Sequence, residues 1–331
     1  MLPTISETTI QLIRQLSDGK FHSGQQLAEN LGISRTAVWK RIQKLKSSGL
    51  EVAAVSGRGY RMVKPLELLD KSLIESHLQA ACPQAQIPLE IFSSLPSTNA
   101  YLMETAQDKP TGCVCLAEMQ TAGKGRLGRR WISPYGVNVY LSMLWRFTSA
   151  ERVGGLSLAV GVAVVRALLQ QGFPQLNLKW PNDILYQARK LGGILVEARV
   201  ESQGQCMVVA GIGLNLDMPS GASSKIDQPW IDAKALLPDA KPSRNQIIAA
   251  LICQLMRLFG EYESKGLRFW LEDWRRWNCV LGKEVIVQQG GYQFDAIAED
   301  IADNGQLKLK LPDGRRCLLA AGDIKLRLKG S

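Results

Sequence analysis

Nine consecutive residues, Gly123-Lys124-Gly125-Arg126-Leu127-Gly128-Arg129-Arg130-Trp131, set four cations among three glycines and end on an indole. Glycine lets a backbone approach a ligand closely, and clustered guanidinium and ammonium groups neutralise a polyanion. The spacing also satisfies G-x-G-x-x-G, but that dinucleotide fingerprint opens a helix and is followed by an acidic residue about 20 positions on. Here the glycines lead into the turn Ile132-Ser133-Pro134-Tyr135-Gly136 and then the strand-like run 137–144. The sequence predicts a mobile, basic loop between two strands, of a kind that closes over phosphate groups.

Three further segments carry polar groups at irregular points. In Lys179-Trp180-Pro181-Asn182-Asp183 the proline breaks a strand, so Asn182 and Asp183 project from the break. Lys190 opens the next strand, where Gly192-Gly193 leave space against one face; a solvated strand end and a bulge are the plainer alternatives. A third strand holds Gly211-Ile212-Gly213-Leu214-Asn215, again thinned by glycine and ending in an amide. Ser97-Thr98-Asn99 starts a helix, which is ordinary capping and also points hydroxyl, amide and N–H groups above a strand.

Composition limits the chemistry. His22 and His77 are the only histidines, which argues against a histidine triad or a zinc hydrolase. The seven cysteines show no regular framework and no secretory leader precedes them, so a reducing cytoplasm is expected. Cys113-x-Cys115 sits on an alternating strand without a second pair, and no metal site is expected. The most apolar run, 156–169, contains Arg166 and falls short of the ~18 residues of a membrane span; it reads as a buried helix.

At 331 residues the chain should form two or three domains. Its net charge of +10 is uneven: residues 1–64 hold ten Lys and Arg against four Asp and Glu. That bias suggests a nucleic-acid-binding module. A helix over 4–16 (Ile5, Ile10, Leu12, Ile13 and Leu16 apolar) precedes a short helix after Ser23 and a turn at Gly32. A serine-capped helix follows over 35–48, basic on one face without an acid; a hairpin then carries Arg58 at its tip. This order is a winged helix-turn-helix. Ser34, Arg35, Thr36 and Trp39 are the candidates for base readout, whereas Lys40, Lys44 and Arg58 fit phosphate contacts. Lys64-Pro65 ends the module. A mixed α+β segment over 66–280 follows, and from 281 to 331 short strands alternate with Gly290-Gly291, Asn304-Gly305 and Asp313-Gly314 turns.

Taken in order along nearly the whole chain, these motifs resemble the bifunctional biotin–protein ligases that double as biotin operon repressors. The residues carrying the likeness are Ser97-Thr98-Asn99, Gln120, 123–131, 179–183, 190–197 and 211–215, downstream of the winged helix. The resemblance implies a central mixed-sheet domain like that of class II aminoacyl-tRNA synthetases and a C-terminal SH3-like barrel. It implies biotin–[acetyl-CoA-carboxylase] ligase activity, with biotin and ATP as substrates and Mg²⁺ on the triphosphate. Ser97, Thr98, Asn99, Gln120, Lys124, Gly125, Arg126, Lys190, Gly192 and Gly193 would meet biotin. Arg126, Arg129, Trp131, Asn182, Lys190, Asn215 and Trp230 would lie on the nucleotide side. Lys190, Arg126 and Asp183 are the expected catalytic residues, and Asp323 and Arg327 match positions facing the ligase centre. The family often has arginine where this chain has Lys124, so charge is kept while the bidentate fork is lost. Implied partners are a biotin carboxyl carrier protein, operator DNA and a second copy once the adenylate is bound, without a membrane. A non-catalytic sensing transcription factor and a lipoate–protein ligase are the competing readings.

Overall fold

The computed structural model describes residues 6–47, 49–84, 86–201, 204–219, 221, 226–238, 243–322 and 324–329; Ile5 and Asp323 lie outside the described residues. Three helices open the chain: α1 (Glu7–Leu16), α2 (Gly24–Leu31) and α3 (Arg35–Ser47). Ser23 Oγ accepts from Gln26 N, and Ser34 Oγ accepts from Ala37 N at 3.2 Å, so each serine satisfies an orphan N–H at a helix start. Between them Gly32 adopts the left-handed conformation that ends α2. The antiparallel hairpin β1 (Val52–Val55) and β2 (Gly59–Met62) forms the wing. His22 adds a backbone rung to it, exchanging hydrogen bonds of 2.8 and 2.9 Å with Tyr60. Leu12, Ile13, Leu16, Leu27, Val38, Ile42 and Leu45 fill the core of this unit, and Met119 and Tyr135, far along the chain, join the same apolar cluster.

The middle of the chain runs α4 (Lys71–Ala81), β3 (Leu89–Phe92), α5 (Thr98–Thr105), β4 (Val114–Ala117), β5 (Val139–Phe147) and α6 (Leu156–Gln170). It continues through β6 (Asn177–Lys179), β7 (Asp183–Tyr186), β8 (Arg189–Val200), β9 (Cys206–Leu214), α7 (Ala233–Leu236), α8 (Arg244–Lys265) and α9 (Arg268–Trp277). The strands make one sheet in the order β3-β4-β5-β9-β8-β7-β6, with β3 and β4 parallel and the other pairs antiparallel. Both faces are covered, because alternate residues of a strand point opposite ways. Val114 and Leu116 join the large core with α6, α8 and α9, while Cys113 and Cys115 face Leu102 of α5.

The last segment holds β10 (Glu284–Gln289), β11 (Tyr292–Ile301), β12 (Leu307–Lys310), β13 (Arg316–Leu319) and β14 (Ile324–Leu328). It is an antiparallel sheet ordered β13-β12-β11-β10-β14, so among the described residues its two edges are not joined by a ladder. Trp180 Nε1 donates to Gly305 O at 3.0 Å and Arg275 pairs with Asp300, tying this sheet to the central domain. Cysteine spacing gave no sign of a bond, yet Cys82 after α4 and Cys253 within α8 pair as a disulfide with Cα atoms 6.2 Å apart. Among the described residues no His/Cys/Asp/Glu group is arranged to hold a metal, and no helix is long and apolar enough to cross a membrane.

The start of α8 knots the connector to the central sheet. Glu67 accepts from Ser243 Oγ (2.6 Å), Arg244 N (2.7 Å) and Asn245 Nδ2 (2.8 Å). Arg244, buried, pairs with buried Glu118 at 2.6 Å and donates to Glu67 O and Asn138 O. Burial alone would push the Glu67 carboxyl up, but the donors from Ser243, Arg244 and Asn245 outweigh it and hold the group below its ordinary 4.5. A depressed folded value stabilises the fold above pH 4.5, and that stability is lost as pH falls through the folded value. In chemical denaturation across pH 3–6 (roughly the span of the titration), Glu67→Gln should therefore be less stable than the parent at the upper end. The difference should shrink as the solution is acidified; a gap independent of pH would contradict this account.

Candidate functional site

The polar and glycine-rich segments of the sequence meet about one face of β8 and β9. In their ladder Gly193 stands opposite Gly213, and Leu195 opposite Gly211. A Cβ on Gly213 would come within 2.5 Å of the Trp131 ring, and one on Gly193 would stand 3.4 Å from it. A Cβ on Gly211 would overlap the Asn99 amide. These glycines are therefore the space in which Trp131 and Asn99 lie. Gly192 serves the opposite face, where a Cβ would strike Leu214. The anticipated bulge falls beside the glycine pair: Ile184 pairs with Gly192 and Leu185 with Lys190, leaving Leu191 as the extra residue.

Polar residues converge at both ends of this floor. At one end Ser97 caps α5, and Thr98 and Asn99 follow, all three buried. Gln120 Oε1 accepts from Thr98 N at 2.9 Å, while its Nε2 donates to Ser133 Oγ at 3.2 Å. Asn99 Nδ2 donates to Leu195 O (3.1 Å) and Glu197 Oε2 (2.8 Å), and Asn99 Oδ1 accepts from Ser142 Oγ at 2.6 Å. Ser142, which the sequence reading left out, is a buried hydroxyl between Leu141 and Met143 of β5; a small polar residue inside an apolar run was its signal.

At the other end Lys190 Nζ lies 2.7 Å from Asp183 Oδ1 and 5.6 Å from the centre of the Trp131 ring. Asp183 starts β7 directly across from Lys179. Burial lowers the Lys179 ammonium below its ordinary 10.5, against the pull of Asp183, and the charges of Lys190 and Arg327 lower it further. Sequence reasoning quoted Lys179 but gave it no role. Asn182 Nδ2 donates to Ile194 O at 2.8 Å, and its Oδ1 accepts from Arg126 Nη1 at 3.3 Å. Arg126 also donates to Ala321 O and Gly322 O at 2.6 and 2.7 Å, which carries the glycine-rich loop across to the C-terminal sheet. The loop itself is a small hairpin, with Gly125 N bonded to Arg129 O and Trp131 N to Gly123 O. Trp230 runs beside Lys190, through Lys190 N to Pro229 O and Ile231 N to Lys190 O. Asn215 Nδ2 reaches Ile231 O at 3.3 Å. Lys124 and Arg129 stay on the exposed rim.

The chain is similar to known proteins along its length. The model of the Biotin/lipoate A/B protein ligase family matches residues 91–215, an HTH domain matches 8–61, and a Biotin protein ligase C terminal domain matches 280–327. The Bifunctional ligase/repressor BirA of Salmonella typhimurium is 36% identical, over 98% of this chain and 99% of its own. The chain belongs to the BirA family. BirA of Escherichia coli is 35% identical over 96% of the chain and 97% of its own length. Biotin protein ligase from Aquifex aeolicus, solved in complex with biotin and ATP, shares the fold with a TM-score of 0.61 at 23% identity, over 73% of this chain and 99% of that one.

A second surface lies on the winged helix, where Ser34, Arg35, Thr36, Trp39, Lys40, Lys44 and Arg58 are all exposed. Trp39 is half exposed, an uncommon cost for an indole on a free surface. Ser34 is spoken for by its cap to Ala37 N, which leaves it fewer lone pairs for any other contact.

Because Asn99 fills the space over Gly211, the substitution Gly211→Ala should eject its amide and strand Leu195 O and Glu197, while Ser142 keeps Thr98 Oγ1 at 2.7 Å. Urea unfolding should show a loss of about 2 kcal/mol, within the range for overpacking and for an unmade buried hydrogen bond. An unchanged midpoint would mean that Asn99 does not depend on this glycine.

Proposed function

We propose that this BirA-family protein is an ATP-dependent biotin–protein ligase that also represses a biotin operon, as the names of its relatives say of them in part. The observation that carries the reading is the convergence of Lys190 and Arg126 at one end of the glycine floor, with Trp131 lying over it. In the first step the biotin carboxylate attacks the α-phosphate of ATP, giving biotinyl-5′-AMP and pyrophosphate. In the second a lysine amine of an acceptor, a biotin carboxyl carrier protein, attacks the mixed anhydride and AMP leaves. Neither step needs a protein nucleophile, so positioning and electrostatic stabilisation supply the rate. Lys190, held at 2.7 Å by Asp183, is placed to meet charge between carboxylate and phosphate. Arg126 fits the phosphates, with Asn182 orienting it. Mg²⁺ would arrive on the triphosphate and neutralise it.

Biotin recognition divides by what each group has left to give. Asn99 has both N–H donors and one lone pair engaged, so we assign it to holding the floor in shape. Ser97 keeps its hydroxyl proton, and Gln120 keeps one N–H, for the ureido group. Lys124, Gly125 and Gly193 form the surroundings, whereas Gly192, expected there from the sequence, faces Leu214 on the other side of the sheet. Trp131, whose buried indole N–H meets no acceptor among the described residues, keeps a donor for the ligand. Arg129, Asn215 and Trp230 are assigned to the nucleotide. We divide the chain into 1–64 for DNA, 66–280 for ligation and 281–331 as a C-terminal domain. Adenylate ordering the basic and Trp230 loops would favour a two-fold dimer, which suits operators with two half-sites. The proposed operator binding would require a cytoplasmic protein, whereas a bond such as Cys82–Cys253 is commoner in oxidising compartments.

Pyrophosphate release from ATP, with biotin and lipoate supplied separately, tests the ligase reading; release with lipoate alone would transfer the protein to the lipoate ligases. Lys190→Ala should lower biotin-dependent release by about 10²–10³-fold, as expected for loss of one preorganised donor. A rate within about tenfold of the parent would remove Lys190 from the reaction.

On DNA, Arg35→Ala should lower affinity for the operator more than for random sequence. Lys44→Ala should weaken both alike and reduce the slope of log affinity against log salt by ~0.9. If Arg35→Ala instead behaves as Lys44→Ala is expected to, Arg35 contacts phosphate and not a base.

A further inference from the structure

The wing holds two arginines against one aromatic ring. Phe21 lies between α1 and α2, directly before the backbone rung of His22 with Tyr60. Its ring carries two cations: the Arg58 guanidinium is 4.2 Å from the ring centroid and that of Arg61 is 5.1 Å away. Arg58 is the tip of the wing and is exposed, whereas Arg61 is half-buried on β2. Gly59, at a φ of 98°, sits so close to His22 that any Cβ there would overlap the His22 carbonyl. The rung therefore fixes the wing against the 21–23 segment, and Phe21 reaches both arginines from that fixed edge. The acidic group of the segment is turned elsewhere: Asp18 accepts from Lys20 N and faces His22 Nε2 at 3.0 Å. Neither arginine meets a carboxylate within salt-bridge distance among the described residues. An aromatic face attracts a cation without neutralising it, so a guanidinium stacked on a ring loses rotamer freedom while keeping its charge for phosphate oxygens; the Nε of Arg61 is itself buried and meets no acceptor among the described residues.

We propose that Phe21 is a positioning residue for DNA binding: its ring preorganises Arg58 and Arg61 as a pair of cations aimed from the wing at the phosphate backbone. The inference rests on residues 1–64 being the DNA-binding module. The ring itself reads no base, so its effect falls on operator and random duplex alike. It acts only through the two arginines, which separates it from a residue that merely supports the fold.

The test uses the full chain in fluorescence-anisotropy titrations with operator and random duplex at several salt concentrations, beside Phe21→Leu, Phe21→Trp, Arg58→Ala/Arg61→Ala and the triple variant. Phe21→Leu keeps apolar bulk and should bind both duplexes about fivefold more weakly, the scale of two exposed cation–π contacts. Phe21→Trp should restore binding, because it keeps the π face. In the Arg58→Ala/Arg61→Ala background, Phe21→Leu should have no further effect. Equal losses in both backgrounds, or a Trp variant as weak as the Leu variant, would overturn the proposal and leave Phe21 a packing residue. Parental binding by Phe21→Leu would overturn it as well. If the parent itself binds neither duplex, the DNA-binding reading fails first, and biotin-dependent pyrophosphate release by every variant shows whether the chain is folded.

Discussion

The buried pair of Arg244 and Glu118 is the interaction on which the arrangement of the chain depends. Glu118 follows β4 and accepts from Leu69 N at 2.5 Å, while Arg244 begins α8 and bonds to Asn138 O before β5. Asn138 in turn accepts from Leu216 N, and Met218 N donates to Asp232, the cap of α7. A single guanidinium thus fastens the connector, two central strands and, through Asn138, the chain leading to Trp230. Losing either partner of such a pair leaves an uncompensated buried charge, at a cost of about 3–5 kcal/mol. Its value here is in register: the connector cannot slide without unmaking hydrogen bonds at several distant points.

The site is made as much by missing side chains as by present ones. β8 and β9 bring Gly193 and Gly213 face to face, and the indole of Trp131 occupies what a Cβ on Gly213 would have filled. The same economy at Gly211 admits an amide that hydrogen-bonds across the sheet. Cations are then gathered at one end, where Lys179 and Arg126 join the Lys190–Asp183 pair. A floor with apolar walls and a basic end matches a ligand that is mostly hydrocarbon and heterocycle and carries an anionic terminus.

Local features were legible in the sequence because they depend on neighbours in the chain. The 14-odd-residue apolar run became α6, the serines at 34 and 97 that were read as caps each accept an N–H at a helix start, and Pro181 separates β6 from β7. The site segments were legible for the same reason: glycine and cation spacing is a short-range signal. What stayed hidden depends on long-range closure. Nothing near Arg244 in sequence names Glu118 as its partner. Cys82 and Cys253 are 171 positions apart, so spacing could not pair them. Strand order, which puts β9 between β5 and β8, likewise follows from packing on both faces and not from pattern.

The apolar cluster of the winged helix does not end at the connector. Met119 and Tyr135, on either side of the glycine-rich loop, share it with Leu12, Ile13 and Leu16. The N-terminal unit is therefore not an interchangeable cassette. A foreign DNA-reading head grafted at Lys64 would need to supply its own cover for those two side chains, and swaps between distant relatives should succeed only where that small patch of surface has travelled with the head.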